Sequence, residues 1–563
     1  MVAIYDHLSE ERKQLQEEGY LPEWFTTGGW QLFKEKYLHE AVGIKDTYER
    51  IAKTAARHTD DPDAWASRFF DVMWNGWLAL STPVLSNMGT NKGTPVSCSG
   101  QYVGDSIDSF YKAYHETAML TKNGFGTSGY LGDIRPRGSG ISTGGKASGV
   151  LPIIKHFVQD MRDVAQGTSR RGAWAGYLPI DHGDFFEVVD YVENYPDDLN
   201  IGWNISNTFV ERLQHGDEDA VHRYQRALKV KAVTGKGYFN FIDKMNDASP
   251  QMYKDKGLTV KASNLCTEIA LFSDEENTYT CVLSSMNLTK YDEWKDTDAV
   301  FVSTVFLDCV AQEFIELGKD IPGLESSVRF TEKGRALGLG ALGFHTYLQQ
   351  KGIAFESFEA HMLNRQIFKS ISDQSHEASV WMAEVFGEPE WCEGYGVRNT
   401  HTMAIAPNTS SALICGGVSQ GIEPIVANVY NQLTSAGEIS RVNPVFMEFA
   451  KERGKWNEEL VKDIIDHDGS VQHLDWLSDS DRMVFRTAYE VDQKAIVRLA
   501  AARQEYIDQA QSINLFFDAD EDEAYISEVH KEAFLNPHIK SLYYMRTKAG
   551  VDASKGECIA CSG

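Results

Sequence analysis

No stretch of this chain approaches the roughly 18 consecutive apolar residues that a membrane-spanning helix needs. Its first residues, MVAIYDHLSEERKQLQEEGYL, have neither the basic start nor the apolar core of a secretory leader. A cytoplasmic location with no membrane partner is expected from these absences. Positive charge is scarce: 54 Lys and Arg stand against 81 Asp and Glu, a formal net charge of -27. Such a surface repels nucleic acid and anionic lipid, so a polymer of DNA or RNA is not expected as substrate. No repeat of fixed period is found, which sets aside solenoids and propellers. Cysteine is sparse, eight in 563 residues, which excludes a disulfide scaffold and leaves thiols reduced in a reducing compartment unless they do redox work.

What is present suits a large globular enzyme: 42% hydrophobic residues, 46 Gly and 12 Trp. Residues 1–80 show helical periodicity, as in KDTYERIAKTAARH and DAWASRFFDVMWNGWLAL, and are assigned to an N-terminal helical domain. After LSTPVLSN the texture changes to short apolar runs punctuated by glycine and alternating with helices such as VLPIIKHFVQDMRDVA. That alternation predicts an α/β catalytic domain over 81–547 with a largely parallel sheet. Gly-rich stretches at 124–149 and 166–176 are too long for simple turns and are read as functional loops. Residues 480–513 read as one long helix, and the small, polar segment 548–563 as a flexible tail.

Cys309, Cys392 and Cys415 lie in apolar surroundings and are read as small buried hydrophobes. Asn264, Cys266 and Glu268 differ: in NLCTE they alternate, so an extended segment would turn all three to one side. A carboxylate beside a thiol opposes thiolate formation, which disfavours a protease-like nucleophile. The same neighbours suit a thiyl radical at Cys266, with Glu268 drawing a proton from a hydroxyl and Asn264 holding it. A two-electron reduction also needs a dithiol, and Cys98 with Cys281 could supply it if the fold brings them together. Cys558 and Cys561 form a CxxC without a second ligand pair, so a mobile redox dithiol fits better than zinc, and no metal is expected in this chain.

LSTPVLSN, PVSCSGQYVGDSIDSFY, SNLCTEIAL with TCVLSSMNL, RALGLGALGFHTYLQQKG, MAIAPNTSSALICGGVSQGIEP, SLYYMRT and the C-terminal CxxC follow one another as in ribonucleotide reductase large subunits, and the chain resembles that family over most of its length. The resemblance implies a ten-stranded α/β barrel of two five-stranded half-barrels with Cys266 on a central finger loop, Cys98 and Cys281 as the reducing pair, and Glu268 and Asn264 as polar partners. It implies substrate contacts from Thr82 and Ser97, and a diphosphate loop at Asn408, Thr409, Ser410 and Ser411. Small hydroxyl residues opening an apolar helix do offer main-chain N–H groups to an anion. Asp105 and Arg135 match positions that bind a deoxynucleoside triphosphate or ATP effector, and Arg170 lies on the loop that relays effector identity. Ser142 stands where a second phosphate-binding arginine can occur, a departure from some relatives.

Tyr543 and Tyr544 correspond to the dyad ending a radical-transfer chain that starts in a separate metal-containing small subunit, which favours class I. Cys558 and Cys561 would shuttle electrons from thioredoxin or glutaredoxin. The expected enzyme is a homodimer acting on ribonucleoside diphosphates with no cofactor of its own and no ATP-binding cone. Specificity regulation without overall dATP shut-off is then expected. The alternatives are a cobalamin-dependent reductase and a nucleotide-binding regulator that has lost catalysis.

Overall fold

The computed structural model describes residues 2–96, 98–166, 170–434 and 437–548. Four helices come first: Val2–Glu17, Thr27–Lys36, Ile44–Ala56 and Pro62–Trp74. In the third, Ile44, Tyr48, Ile51, Ala52 and Ala55 recur at helical spacing and are all buried, so one face drives it onto the core. Pro62 opens the fourth, and the Asp61 carboxylate accepts from the Ala64 N–H at 3.2 Å, satisfying a donor the helix leaves unpaired. Both pack against Ala299–Gly318, a helix apolar nearly all round and therefore buried. There Arg57 and His58 each reach Glu313 at 2.7 Å, tying the helical region to the rest.

Among the described residues the main sheet has nine strands. Cys98–Tyr102, Thr127–Tyr130, Trp174–Pro179, Asn200–Asn204 and Tyr238–Asn240 run parallel in that order. The helices Ile107–Lys122, Leu151–Asp163, Phe185–Asn194 and Glu218–Thr234 supply the crossovers that parallel pairing requires. Ser541–Leu542 closes this side antiparallel to Tyr238–Asn240. On the other side Cys98–Tyr102 pairs antiparallel with the long strand Tyr279–Asn287, which also takes Leu78–Leu80 antiparallel and Leu337–Leu342 parallel. Parallel bridges from Leu339 to Met403 and from Ile405 to Gln511 carry the second half onward. The result is a curled mixed sheet of the α/β barrel kind, its two halves joined along an antiparallel seam.

The single helix expected over 480–513 is broken. Ser478 and Asp492 each cap a separate helix, Asp479–Val484 and Gln493–Gln504, and Gln509–Ser512 leaves helical structure to line the barrel. Apolar spacing alone did not register these two caps.

A buried ion network fastens the second half. Asp308 accepts from Arg335 Nε at 2.8 Å, Arg398 Nε at 3.0 Å and Asn399 Nδ2 at 2.9 Å. Burial alone would raise this carboxyl, but Arg335 and Arg398 override it and hold it well below the usual carboxylate range. Asp308→Asn should therefore cost about 3–5 kcal/mol, because two guanidiniums lose their counter-charge. A fall in the urea midpoint at neutral pH checks this. With a depressed folded pKa, the contribution is fully present above the unfolded value of about 3.9 and is lost as pH falls through the lowered one.

Candidate active site

The segment carrying Asn264, Cys266 and Glu268 lies inside the barrel and touches both halves. From the first half, Ser128 Oγ donates to Ser263 O at 2.9 Å and Tyr177 Oη to Asn264 O at 2.6 Å. From the second, Ser512 Oγ donates to Cys266 O at 2.5 Å and the Ala510 N–H to Glu268 O at 2.9 Å. The segment is a loop rather than the extended run that would turn all three side chains to one side. Leu265–Thr267 form a tight turn, with Thr267 in the left-handed region at φ 70°. A β-branched residue there is strained, and Ser541 Oγ donating to Thr267 O at 3.0 Å helps hold it. The turn, rather than strand alternation, sets the directions of the three side chains.

Asn264 Nδ2 donates to Cys98 Sγ at 3.5 Å, and its Oδ1 accepts from the Ile269 N–H at 3.3 Å. Glu268 is buried, with Ser512 Oγ at 3.2 Å from its Oε2. Burial pushes its carboxyl up to about 7, opposed by its own N–H, Asn264 and Ser512. Cys266 packs among Tyr130, Tyr177, Tyr238, Leu265, Tyr543 and Tyr544.

Cys98 and Cys281 face each other directly across the antiparallel seam. Cys98 is half-buried and Cys281 fully buried, and burial raises the Cys281 thiol well above its ordinary pKa. Gly338 on the next strand makes room: a Cβ there would lie 2.9 Å from Cys281 Sγ and 2.4 Å from Leu283 Cδ2.

Tyr543 and Tyr544 are both buried, their rings 4.1 Å apart, and Tyr543 Oη lies 3.6 Å from Cys266 Sγ. Tyr238 joins them, its Oη donating to Tyr544 Oη at 3.2 Å.

The remaining expected residues fall around this centre or away from it. Thr82 opens the helix Thr82–Asn87 and pairs with Tyr37 Oη at 3.0 Å; Ser97 lies outside the described residues. Asn408 precedes the helix Thr409–Ile414 with φ 61°, and its Oδ1 accepts from Ser285 Oγ at 2.8 Å. Thr409 Oγ1 donates to Gln420 at 3.3 Å and Ser411 Oγ to Leu80 O at 3.1 Å, and Ser410 is buried. Arg135 Nε donates to Asp105 Oδ2 at 2.6 Å, so those two meet. Arg170 pairs through its backbone with Gln166 in a short hairpin, while Cys558 and Cys561 lie outside the described residues.

Sequence reasoning missed Ser512 and Gln509, which are remote in the chain, and Tyr238. The polar residues alternating through IDQAQSIN were the available signal, hidden by the helical reading. Among the described residues, Asp463 with His467 and His473, and His58 with Glu313 and Glu316, are groups able to approach one cation, and neither includes a residue of this centre. No helix among the described residues is long and apolar enough to cross a membrane.

A family model described as the ribonucleotide reductase barrel domain matches residues 96–222, 219–395 and 389–545, and one for the ribonucleotide reductase all-alpha domain matches 23–93. The putative ribonucleoside-diphosphate reductase large subunit of Frog virus 3 is 35% identical, over 90% of this chain and 94% of its own length. The ribonucleoside-diphosphate reductase large subunit of Invertebrate iridescent virus 3 is 30% identical, over 93% of this chain and 94% of its own. Among solved structures, the Actinobacillus ureae class Id ribonucleotide reductase alpha subunit is similar at TM-score 0.86 and 39% identity, covering 93% of this chain and 97% of that one.

Proposed function

This chain belongs to the ribonucleotide reductase family as a ribonucleoside-diphosphate reductase large subunit, and from that membership we propose how its own residues carry the reaction. A separate, metal-containing small subunit supplies the radical. Tyr544 and then Tyr543 pass it inward, and Tyr543 takes the hydrogen atom of the reduced Cys266 thiol. The Cys266 thiyl removes a hydrogen atom from a sugar carbon while Glu268 accepts the proton of the adjacent hydroxyl and Asn264 orients it. Cys98 and Cys281 supply the electrons: one C–OH and two S–H become one C–H, one S–S and a water, after which Cys266 regains its hydrogen.

Thr82 and Ser97 contact the substrate. Asn408, Thr409, Ser410 and Ser411 hold the diphosphate, chiefly through main-chain N–H groups, since the Thr409 and Ser411 hydroxyls have protein acceptors. This local donor set lets an acidic protein bind an anion. Asp105 and Arg135 take the effector's ribose hydroxyl and phosphate in exchange for one another, with Arg170 on the relaying loop. The neighbouring helix Ile107–Lys122 exposes Ile107 and Tyr111, which fits a homodimer interface.

The observation that carries this reading is the approach of Tyr543 Oη to Cys266 Sγ with the Tyr544 ring tilted against Tyr543, 4.1 Å away. CDP reduction assayed with and without a candidate small subunit tests it. Product only with the subunit is expected; product with adenosylcobalamin alone would select the cobalamin-dependent class, and no product under any condition the inactive regulator.

A raised pKa keeps Glu268 protonated below about pH 7, so kcat/KM should fall as pH drops through that value. Glu268→Gln should lower kcat/KM by about 10²–10⁴-fold and flatten this limb. An unchanged pH profile in the variant would remove the base role.

The tail dithiol is tested by size. A protein reductant cannot enter the barrel, whereas a tail can visit both places. Replacing Cys558 and Cys561 with serine should nearly eliminate thioredoxin-driven steady-state turnover, leave a pre-reduced single turnover, and permit partial rescue by a small dithiol. An unchanged thioredoxin-driven rate would take the shuttle role from this tail.

A further inference from the structure

Gln509 connects the two reactive parts of the barrel. Its Oε1 accepts from the Ala270 N–H at 3.2 Å, on the segment that carries Cys266 and Glu268. Its Nε2 donates to Leu337 O at 2.8 Å and to Cys281 Sγ at 3.3 Å. The amide can sit only one way round, because the Ala270 N–H can only donate and the Leu337 carbonyl only accept. An N–H group is thus aimed at the Cys281 sulfur by two main-chain partners. The main chain at this point is fixed as well, by Lys540 Nζ and Gln504 Nε2, which both donate to Gln509 O.

The two sulfurs of the seam are unequal. Cys98 is half-buried, at the start of its strand, whereas Cys281 is fully buried in the middle of the sheet. An incoming thiolate must approach along the S–S axis, and half-buried Cys98 is the more accessible of the two ends. When it attacks, the electron pair of the broken S–S bond leaves on the other sulfur. A buried thiolate needs a hydrogen-bond donor, and the groups facing Cys281 otherwise include Cys98, Glu268 and Asp508, which oppose negative charge there. Lys540, beside Asp508, offsets part of that charge.

We propose that Gln509 is a positioning residue that makes re-reduction of the Cys98–Cys281 disulfide directional: the reductant attacks Cys98, and the Gln509 side-chain N–H receives Cys281 as the leaving thiolate. The proposal rests on the reading of Cys98 and Cys281 as the redox pair. In the first step one bond forms, between the reductant's sulfur and Cys98, and one breaks, between Cys98 and Cys281. The reductant's second thiol then displaces Cys98, so one dithiol is oxidised, one disulfide is reduced, and the two thiol protons end on Cys98 and Cys281.

The test begins with the unaltered full chain. After a single turnover has formed the disulfide, a small monothiol such as cysteamine is added, free thiols are alkylated at once, and peptide mass spectrometry locates the mixed disulfide. The adduct is expected on Cys98 with Cys281 alkylated; an adduct mainly on Cys281 overturns the proposal. A burst that leaves no Cys98–Cys281 disulfide would instead sink the underlying reading, so the two failures are separable. Gln509→Met keeps the length and volume of the side chain but removes the donor. Its reduction rate with dithiothreitol should fall about 10- to 100-fold, the range for losing a hydrogen bond to a charged group, and its adduct should spread over both cysteines. A normal rate with the adduct still confined to Cys98 would remove Gln509 from the step, and if this variant fails to fold, trapping on the unaltered chain still decides the direction.

Discussion

Cys266→Ser and Cys266→Ala should each reduce deoxynucleotide formation to background while leaving folding and effector binding as they were. The sulfur is the part that matters: an S–H bond is weak enough to exchange a hydrogen atom with a tyrosyl radical and with a sugar C–H, whereas a serine O–H is too strong and alanine has nothing to exchange. The loop itself should survive, because its main chain is held from outside the side chain, by Ser512 Oγ on Cys266 O, Tyr177 Oη on Asn264 O and the Ala510 N–H on Glu268 O. Burial of Cys266 makes the alanine cavity a modest loss, on the order of 1 kcal/mol for a group this small. Product per active site, a thermal melt and binding of a deoxynucleoside triphosphate separate these effects. Substantial CDP reduction by either variant would end the thiyl reading.

Tyr543→Phe and Tyr544→Phe should each stop reduction as completely. Phenylalanine keeps a ring about where the structure has it, 4.1 Å from its neighbour, so packing among Tyr238, Tyr177 and Cys266 is largely preserved. What disappears is the phenolic hydrogen. In Tyr543→Phe the group 3.6 Å from Cys266 Sγ is lost; in Tyr544→Phe the acceptor of the Tyr238 hydroxyl goes too, a cost to stability of roughly 1 kcal/mol. Small-subunit binding and the melting temperature should stay near those of the unaltered chain, so loss of activity reports on hydrogen transfer. Activity retained in both variants would place radical generation within this chain.

Elements with a strong local period were legible. The helices at 44–56 and 62–74 show their apolar face, and alternating apolar runs and helices pointed to an α/β core. What failed was local structure decided by distant partners. NLCTE alternates like a strand, yet Ser541 and Ser512, far away in the chain, hold it as a turn. The run from 480 to 513 keeps helical spacing, but two caps cut it and pairing with Ile405 draws Gln511 out of the helix. Candidate chemistry was legible as residue types, whereas the facing of Cys98 and Cys281 depends on register across the seam, which sequence does not contain. Gln509 and Tyr238 carry no local mark, since their significance lies entirely in what the fold puts beside them.

The seam has a consequence for the molecule as a whole. Directly opposed residues in an antiparallel pair have Cα atoms about 4.5–5.5 Å apart, within the span of an unstrained disulfide, so Cys98 and Cys281 can join with little movement of the two strands. The bond would staple one half of the barrel to the other and close a loop running from residue 98 to residue 281. By chain entropy alone such a long cross-link is worth roughly 5 kcal/mol against unfolding. Each turnover would therefore fasten the barrel and each reduction release it, so that the enzyme is sturdiest when spent and most yielding when ready to react.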